Sequence, residues 1–160
     1  MTGDIVIRAM EETDAPGVAA MVRRLAAHIS SPDLTRTTAG TLVLHGFRDD
    51  PAFETLVAER AQELIGYCLM TRTYSTWRAA PGVFVVDLYV DNAIRRQGLG
   101  KRLLAAAADW GAVRGCRFLK LDVDPDNDTA RVFYTGLGFR DDHDHAMVIE
   151  YDNLNALKAE

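Results

Sequence analysis

Residues 88–101 read LYVDNAIRRQGLGK. An apolar strand, predicted over Val83 to Val90 and expected to be buried on both faces, leads into this stretch. A helix rich in alanine and leucine, predicted over Lys101 to Val113, follows it. The first backbone N–H groups of a helix have no partner within the helix, and the helix dipole favours negative charge there. The two glycines remove side chains that would keep a phosphate away from the backbone, and the two arginines add positive charge. The stretch therefore predicts a cradle for a pyrophosphate group.

Two other phosphate-binding loops do not fit this stretch. A P-loop requires a glycine where Arg95 stands and a serine or threonine where Arg102 stands. A dinucleotide-binding loop requires a third glycine where Leu103 stands. A plain connector between a strand and a helix, with solvated arginines, is the alternative that the residues leave open.

A second segment with paired glycines lies downstream. Asn127 follows a predicted strand, and Ala130-Arg131-Val132-Phe133-Tyr134 leads into Gly136-Leu137-Gly138-Phe139. In order and spacing, this segment and the upstream Asp87-Leu88-Tyr89-Val90 and Arg95-x-x-Gly98-x-Gly100 together resemble the acyl-CoA-binding motifs of the GNAT superfamily of N-acetyltransferases. Similarity to the diamine branch, the spermidine/spermine and thialysine type, extends over nearly the whole chain. It includes Ile5–Arg8, His45–Phe47, Leu56–Glu59 and Tyr74–Trp77.

The resemblance implies a fold and a cofactor. We expect one α/β domain over residues 1–160, with a mixed, mostly antiparallel central sheet flanked by about four helices. Acetyl-CoA is the expected co-substrate, and no metal is expected. The residues expected to contact acetyl-CoA are Leu88, Tyr89, Val90, Arg95, Arg96, Gln97, Gly98, Leu99, Gly100, Lys101, Asn127, Ala130, Phe133 and Tyr134. The backbone of the first three would pair with the pantetheine arm as an added strand.

Tyr134 is the first candidate for catalysis. In the family, a tyrosine at this place directs its hydroxyl at the cofactor sulfur, where a departing thiolate needs a proton or a hydrogen bond. The alternative is a core tyrosine with a satisfied hydroxyl. Asn127 is expected to contact the pantetheine arm, to cap the helix that carries Tyr134, or to do both.

Asp87 is the second candidate, because a charge inside an apolar strand needs a reason. The amine that attacks a thioester must be neutral, so a nearby group must take its proton. The diamine enzymes have a glutamate beside the matching aspartate, whereas this chain has Val86. Asp122, Asp124 and His28 are alternative bases. The residues expected around the amine are His28, Trp77, Asp87 and Asp122, although core packing is an equal alternative for Trp77.

Composition limits the classes of function. A chain of 160 residues, with 48% hydrophobic and 26% charged residues, fits one soluble domain. Its net charge of −5 argues against nucleic-acid binding and suits a small cationic amine. We expect a cytoplasmic protein with no membrane span or leader, because no apolar run approaches twenty residues and Cys68 and Cys116 favour a reducing compartment. A solvated loop, not a metal site, is expected at His143-Asp144-His145.

Hydrophobic periodicity and turn residues predict the remaining elements. Strands are expected at Ile5–Arg8, Phe53–Glu59, Glu63–Tyr74 and Phe118–Val123, and helices from a cap at Thr13 or Asp14 to Ile29, at Ala39–Phe47 and at Thr129–Leu137. A closing hairpin is expected from Phe139-Arg140 and Ala146–Tyr151, and a loop over Trp77–Gly82.

The sequence thus predicts an acetyl-CoA-dependent N-acetyltransferase that acts on a small primary amine, such as a diamine, a polyamine or a lysine-like amino acid. By resemblance, the amine attacks the thioester directly in a ternary complex, and the protein is a homodimer. Two alternatives are a protein acetyltransferase, acting on a lysine or an N-terminal amine, and a non-catalytic acyl-CoA-binding module.

Overall fold

Five strands and four helices follow one another along the parts of the chain that the computed structural model describes, which are residues 3–29, 35–142 and 153. The strands are β1 (Val6–Ala9), β2 (Glu54–Arg60), β3 (Glu63–Ser75), β4 (Ala80–Val90) and β5 (Leu119–Leu121). The helices are α1 (Ala15–His28), α2 (Ala39–Gly46), α3 (Leu99–Ala112) and α4 (Asp128–Gly136). The chain divides into two compact units, one ending at Asp122 and one beginning at Val123. The second unit contains α4.

The strands of the first unit form one sheet in the order β1-β2-β3-β4-β5. Each neighbouring pair from β1 to β4 is antiparallel, and β5 runs parallel to β4. A parallel pair needs a crossover connection, which α3 provides. The prediction of a mixed, mostly antiparallel sheet with about four helices is confirmed.

The two faces of the sheet pack against different helices. On one face, Tyr67 and Val57 belong to a cluster of buried apolar residues that includes Val18 and Met21 of α1. On the other face, Gly66 lies under Leu103 of α3, and the absence of a side chain at this glycine allows the close approach. Neighbouring residues of a strand point to opposite faces, so the α1 side and the α3 side are separate layers of core. We call these the α1 face and the α3 face.

An ion-pair network ties β1 and β2 to the start of α1. The Arg8 guanidinium lies 2.7 Å from an Asp14 carboxylate oxygen and 2.6 Å from one of Glu59. Asp14 also accepts the backbone N–H of Glu11. These bonds hold the pKa of Asp14 below its ordinary value and raise that of Arg8. Asp14 directly precedes α1, and its ion pair with Arg8 therefore links the beginning of α1 to β1.

Three predicted boundaries need correction. The strand β4 begins at Ala80, inside the predicted loop, because Ala80 and Pro81 pair with the end of β3. The strand β5 covers Leu119–Leu121 only, because its partners in β4 are limited to Val83–Val85. The helix α3 begins at Leu99, two residues earlier than predicted, because Gly98 takes the N-cap position. Residues 143–152, with the predicted histidine loop and most of the closing hairpin, lie outside the described residues.

Candidate active site

A β-bulge in β4 sets the direction of the Asp87 side chain. Leu69 of β3 pairs with Asp87, but the next residue of β3 pairs with Val85, so Val86 is an extra residue without a partner in β3. An extra residue reverses the alternation of side chains beyond it. Val83 consequently lies on the α3 face, against Gly111, whereas Asp87 lies on the α1 face with Leu69. Val86 itself is 46% exposed, so the expectation that β4 is buried on both faces is wrong at this point.

Asp87 is partly buried and accepts a hydrogen bond from a fully buried tyrosine. The hydroxyl of Tyr67 donates to Oδ2 of Asp87 over 3.0 Å. Burial raises the pKa of Asp87, and the bond from Tyr67 opposes that rise. Burial, and after it the charge of Asp87, also raises the pKa of Tyr67, which stays a neutral donor. The same two causes raise the pKa of the neighbouring Cys68 thiol to about 12.

The end of β4 has a backbone edge that β5 does not cover. The ladder with β5 stops at Val85, so among the described strands residues 87–90 are paired with β3 alone and Val86 with none. Leu88, Tyr89 and Val90, the predicted partners of a pantetheine arm, lie on this segment. An uncovered edge of this kind can accept an extended, amide-bearing ligand.

The turn after β4 leads to an open helix N-terminus. Asp91 caps a short 3₁₀ turn at Asn92–Ile94 by accepting the N–H of Ala93. Arg96 and Gly98 then adopt positive φ angles of 66° and 80°. No side chain caps α3, and apart from Gly98 and its two chain neighbours no described residue has an atom within 4 Å of the place where a Cβ of Gly98 would stand. The first N–H groups of α3, from Leu99, Gly100 and Lys101, are thus uncapped by any side chain.

The basic residues of this turn are held in different ways. Arg95 donates from Nε to the carbonyl of Val90 over 3.1 Å, and its Nη1 lies 3.3 Å from Nε2 of His28. Arg102 donates to the carbonyl of Ile5, at the beginning of β1. Arg96, Gln97 and Lys101 are exposed. The structure thus brings His28, predicted near the amine, to the basic turn.

The second unit contains the other predicted site residues. Asn127 caps α4, because its Oδ1 accepts the N–H of Ala130 over 3.1 Å. The capping interpretation of Asn127 is therefore confirmed. The ring of Tyr134 meets those of Phe133 and Phe139 edge to face, with centroids 5.1 and 5.5 Å apart.

Two predicted amine-site residues lie at exposed places of the first unit. Trp77 is 95% exposed in the turn between β3 and β4, so the alternative that it packs in the core is wrong. Asp122 is exposed directly after β5. Within the part of the chain that the structure describes, neither side chain forms a hydrogen bond or an ion pair with Asp87. The described residues also form no group of three or more metal-ligating side chains.

Tyr67 is the site residue that sequence reasoning missed. It stands in an apolar strand, where a tyrosine is indistinguishable from a core aromatic residue, twenty positions before its acceptor Asp87. The only available signal was the buried charge of Asp87, which calls for a donor without indicating which one.

A comparison with family models settles the family. The model described as "Acetyltransferase (GNAT) family" matches residues 21–139, about three quarters of the chain. The chain belongs to the GNAT acetyltransferase family. It is accordingly an N-acetyltransferase, and the resemblance seen in the two glycine-containing motifs is confirmed.

Individual relatives of this GNAT protein agree with the diamine branch. It is 30% identical over 145 residues to the thialysine N-epsilon-acetyltransferase of Sus scrofa, covering 86% of this chain and 85% of that protein. It is 27% identical over 142 residues to a spermidine/spermine N(1)-acetyltransferase-like protein of Homo sapiens, covering 84% of this chain and 20% of that one. This GNAT protein has the same fold as a solved structure of the aminoglycoside N-acetyltransferase AAC(6')-Iy in complex with CoA. That comparison has a TM-score of 0.79, 21% identity, and coverage of 94% and 97% of the two chains.

The structure of this GNAT protein also bears on the predicted absence of a membrane span. Among its described helices, none combines the length and the apolar character needed to cross a bilayer.

Proposed function

We propose that this acetyltransferase transfers the acetyl group of acetyl-CoA to a primary amine of a small molecule, of the diamine or lysine-like amino-acid type. One observation carries the proposal: β4 holds a partly buried carboxylate on the segment that no described strand other than β3 pairs with, and this segment leads into an open helix N-terminus. A carboxylate suits a cationic amine, and an open helix N-terminus suits phosphates. The names of the relatives, which include a thialysine acetyltransferase, support the same class of acceptor.

The residues of the turn fit a CoA diphosphate. The uncapped N–H groups of Leu99, Gly100 and Lys101 would bind its oxygens, with Arg95 and Arg96 nearby in sequence. The open space at Gly98 leaves room for a phosphate at the backbone. The carbonyl and N–H groups of Leu88–Val90 would pair with the pantetheine amides. By resemblance, Asn127, Ala130 and Phe133 contribute further contacts to the same ligand.

Bound acetyl-CoA supplies an acetyl group activated as a thioester. Asp87 takes a proton from the acceptor's ammonium group, directly or through water, and so exposes the lone pair that attacks. As the new C–N bond forms and the C–S bond breaks, Tyr134 gives its hydroxyl proton to the sulfur and takes back the second proton of the attacking nitrogen. The products are the CoA thiol and the acetylated, neutral nitrogen of the acceptor. His28, Trp77 and Asp122 are proposed, from the resemblance and their positions in the sequence, to bind the rest of the acceptor.

We also propose that both units belong to one acetyltransferase domain, since the matched region spans residues 21–139. The resemblance to the diamine branch supports a homodimer, which sedimentation equilibrium of the purified protein would test. The unpaired thiols of Cys68 and Cys116 support a cytoplasmic location. The net charge of −5 supports a small cationic acceptor over a nucleic acid or an anionic membrane.

The test of this function is CoA release from acetyl-CoA on addition of thialysine, with wild-type protein and Asp87→Asn. We expect turnover by the wild type and a kcat/KM for thialysine lower by roughly 10²-fold in the variant, as for the loss of a positioned base. Asp109→Asn, an exposed substitution on α3 with the same charge change, is the matched control and keeps wild-type kinetics. Wild-type kinetics in Asp87→Asn would overturn the assignment of the base. Turnover of lysine peptides only would identify a protein acetyltransferase instead.

A further inference from the structure

Tyr67 is a buried polar group, and among the described residues the polar partner of its hydroxyl is the Asp87 carboxylate. Its side chain is 0% exposed at the centre of β3, and its ring lies beside that of Tyr89 on the α1 face. The hydroxyl donates to Oδ2 of Asp87 over 3.0 Å. Burying a hydroxyl costs free energy unless it is hydrogen-bonded, so this bond fixes where the carboxylate stands.

The two oxygens of Asp87 have different surroundings. Oδ2 accepts the bond from Tyr67, whereas no described residue donates to Oδ1. Oδ1 is also not among the buried, unpartnered side-chain atoms of the described residues, so it keeps contact with solvent. One oxygen is therefore held by the protein, and the other is open to a ligand.

Few other titratable groups act on this carboxylate. On β3, the Cys68 thiol lies on the opposite face, and burial keeps it protonated. On β4, Tyr89 neighbours the ring of Tyr67. From α1 and α2, which both pack on this face, the titratable side chains are those of Arg23, Arg24, His28 and His45, all exposed. The Tyr67 hydroxyl is thus the polar group that offsets the burial of Asp87.

We propose that Tyr67 is a positioning residue for acetyl transfer, whose hydroxyl holds Asp87 charged by binding Oδ2 and leaves Oδ1 to receive the acceptor's ammonium proton. This inference rests on the proposed role of Asp87 as the base. The bulge at Val86 is what allows it, because without the extra residue Asp87 would lie on the α3 face, away from Tyr67.

The hydrogen bond from Tyr67 determines the direction in which loss of this hydroxyl moves the pKa of Asp87. Burial raises the pKa of Asp87, and donation by Tyr67 lowers it, because the donor favours the charged form. Removal of the hydroxyl leaves the burial in place, so the pKa of Asp87 rises further. A higher pH is then needed to ionise the base, and the acidic limb of the pH profile moves upward.

The kinetic test compares Tyr67→Phe with Tyr74→Phe, which removes an exposed hydroxyl from the same strand. With thialysine as acceptor, we expect kcat/KM at pH 7 to fall roughly tenfold in Tyr67→Phe, the size typical of one hydrogen bond to a charged group. We expect its acidic limb to shift to higher pH and its acetyl-CoA dissociation constant to stay unchanged. Tyr74→Phe keeps wild-type values of all three. A wild-type pH profile in a folded Tyr67→Phe protein would overturn the proposal.

Two further measurements separate positioning from packing and from the proposed function. In an Asp87→Asn background, Tyr67→Phe should change kcat/KM by less than about twofold, because the hydroxyl acts through the carboxylate. An undiminished tenfold loss there would mean that Tyr67 acts independently.

A ¹³C NMR titration of the Asp87 carboxyl, assigned with Asp87→Asn, needs no substrate. Its midpoint should rise in Tyr67→Phe, and an unchanged midpoint overturns the inference even if acetyl transfer is confirmed. Absence of acetyl transfer in the wild type, together with a midpoint that rises in Tyr67→Phe, overturns the proposed function but not the control of the Asp87 carboxylate by Tyr67.

Discussion

At the scale of single residues, Tyr134 allows a clean separation of packing from chemistry. Its ring is held edge to face by Phe133 and Phe139 within the second unit. Phenylalanine keeps these aromatic contacts and the side-chain volume, and it removes only the hydroxyl. A change of rate in such a variant therefore reports on the hydroxyl.

We expect Tyr134→Phe to lower kcat by roughly 10²-fold, the low end for loss of a positioned general acid. The dissociation constant of acetyl-CoA should change little, because the hydroxyl matters chiefly when charge develops on sulfur. Both quantities are measured with thialysine as acceptor, by steady-state kinetics and calorimetry. A wild-type kcat would make Tyr134 a packing residue.

Single residues also show where sequence reasoning ends. Asp87 could be singled out because a carboxylate in an apolar strand stands out without any structure. Its face of the sheet could not be predicted, since the bulge at Val86 depends on pairing with β3 and leaves no local signal. Tyr67 could not be singled out either, because its proposed role depends on a hydrogen bond to Asp87 on another strand.

At the scale of elements, the junction of β4 and α3 can be tested through a pair of glycines. Gly98 stands before α3 and Gly115 after it, both have a φ of 80°, and both have open space at the Cβ position. Valine is strained at either position, so both variants should lose some stability. Only Gly98 lies at the proposed phosphate cradle.

Gly98→Val should weaken acetyl-CoA binding by about 2 kcal/mol or more, because a branched side chain blocks approach of the phosphate. Gly115→Val should bind acetyl-CoA as the wild type does, although it carries the same backbone strain. Calorimetry measures the affinity, and circular dichroism confirms the fold. Equal affinity in all three folded proteins would place the cradle elsewhere.

The network between β1, β2 and α1 gives a prediction for stability. Asp14→Asn should lower the free energy of unfolding by about 1–2 kcal/mol at pH 7, because it weakens a partly buried, charge-assisted pair with Arg8. The pKa of Asp14 is depressed in the folded state, so its contribution is present above the ordinary carboxyl value of 3.8. The contribution is lost as pH falls through the folded value.

Urea denaturation at pH 7 and below pH 4 measures this dependence. The matched control is Glu12→Gln, which makes the same charge change at an exposed position of the 3₁₀ turn Glu12–Asp14. This variant should alter the free energy of unfolding by less than about 0.5 kcal/mol. A difference in the free energy of unfolding between wild type and Asp14→Asn that is the same at pH 7 and below pH 4 would contradict this pH dependence.

The elements themselves were largely predictable, whereas their ends were not. The periodic apolar residues of α1 and α3, and the apolar runs of β2 and β3 on either side of a polar turn, were sufficient to locate these elements. Gly98 concealed the start of α3, because a glycine N-cap has no side chain to signal the cap. The start of β4 and the length of β5 depend on partner strands, which a local pattern does not contain.

At the scale of the whole molecule, charge and site composition bear on the choice of acceptor. The net charge of −5 attracts cations in general, so it does not distinguish one amine from another. The proposed amine site does distinguish them, because by resemblance Val86 stands where the diamine enzymes have a glutamate. One fewer carboxylate leaves less to offset the desolvation of a second ammonium group. The chain should therefore prefer a short or zwitterionic amine.

The most direct test of the proposed function is the ratio of kcat/KM for thialysine to that for spermidine, measured by CoA release from acetyl-CoA. Mass spectrometry of the products checks that each acceptor gains one acetyl group. We expect acetylation of thialysine, with a kcat/KM above that for spermidine. A kcat/KM for spermidine above that for thialysine would overturn the preference for a short or zwitterionic amine, and no acetylation of either amine would overturn the proposed function.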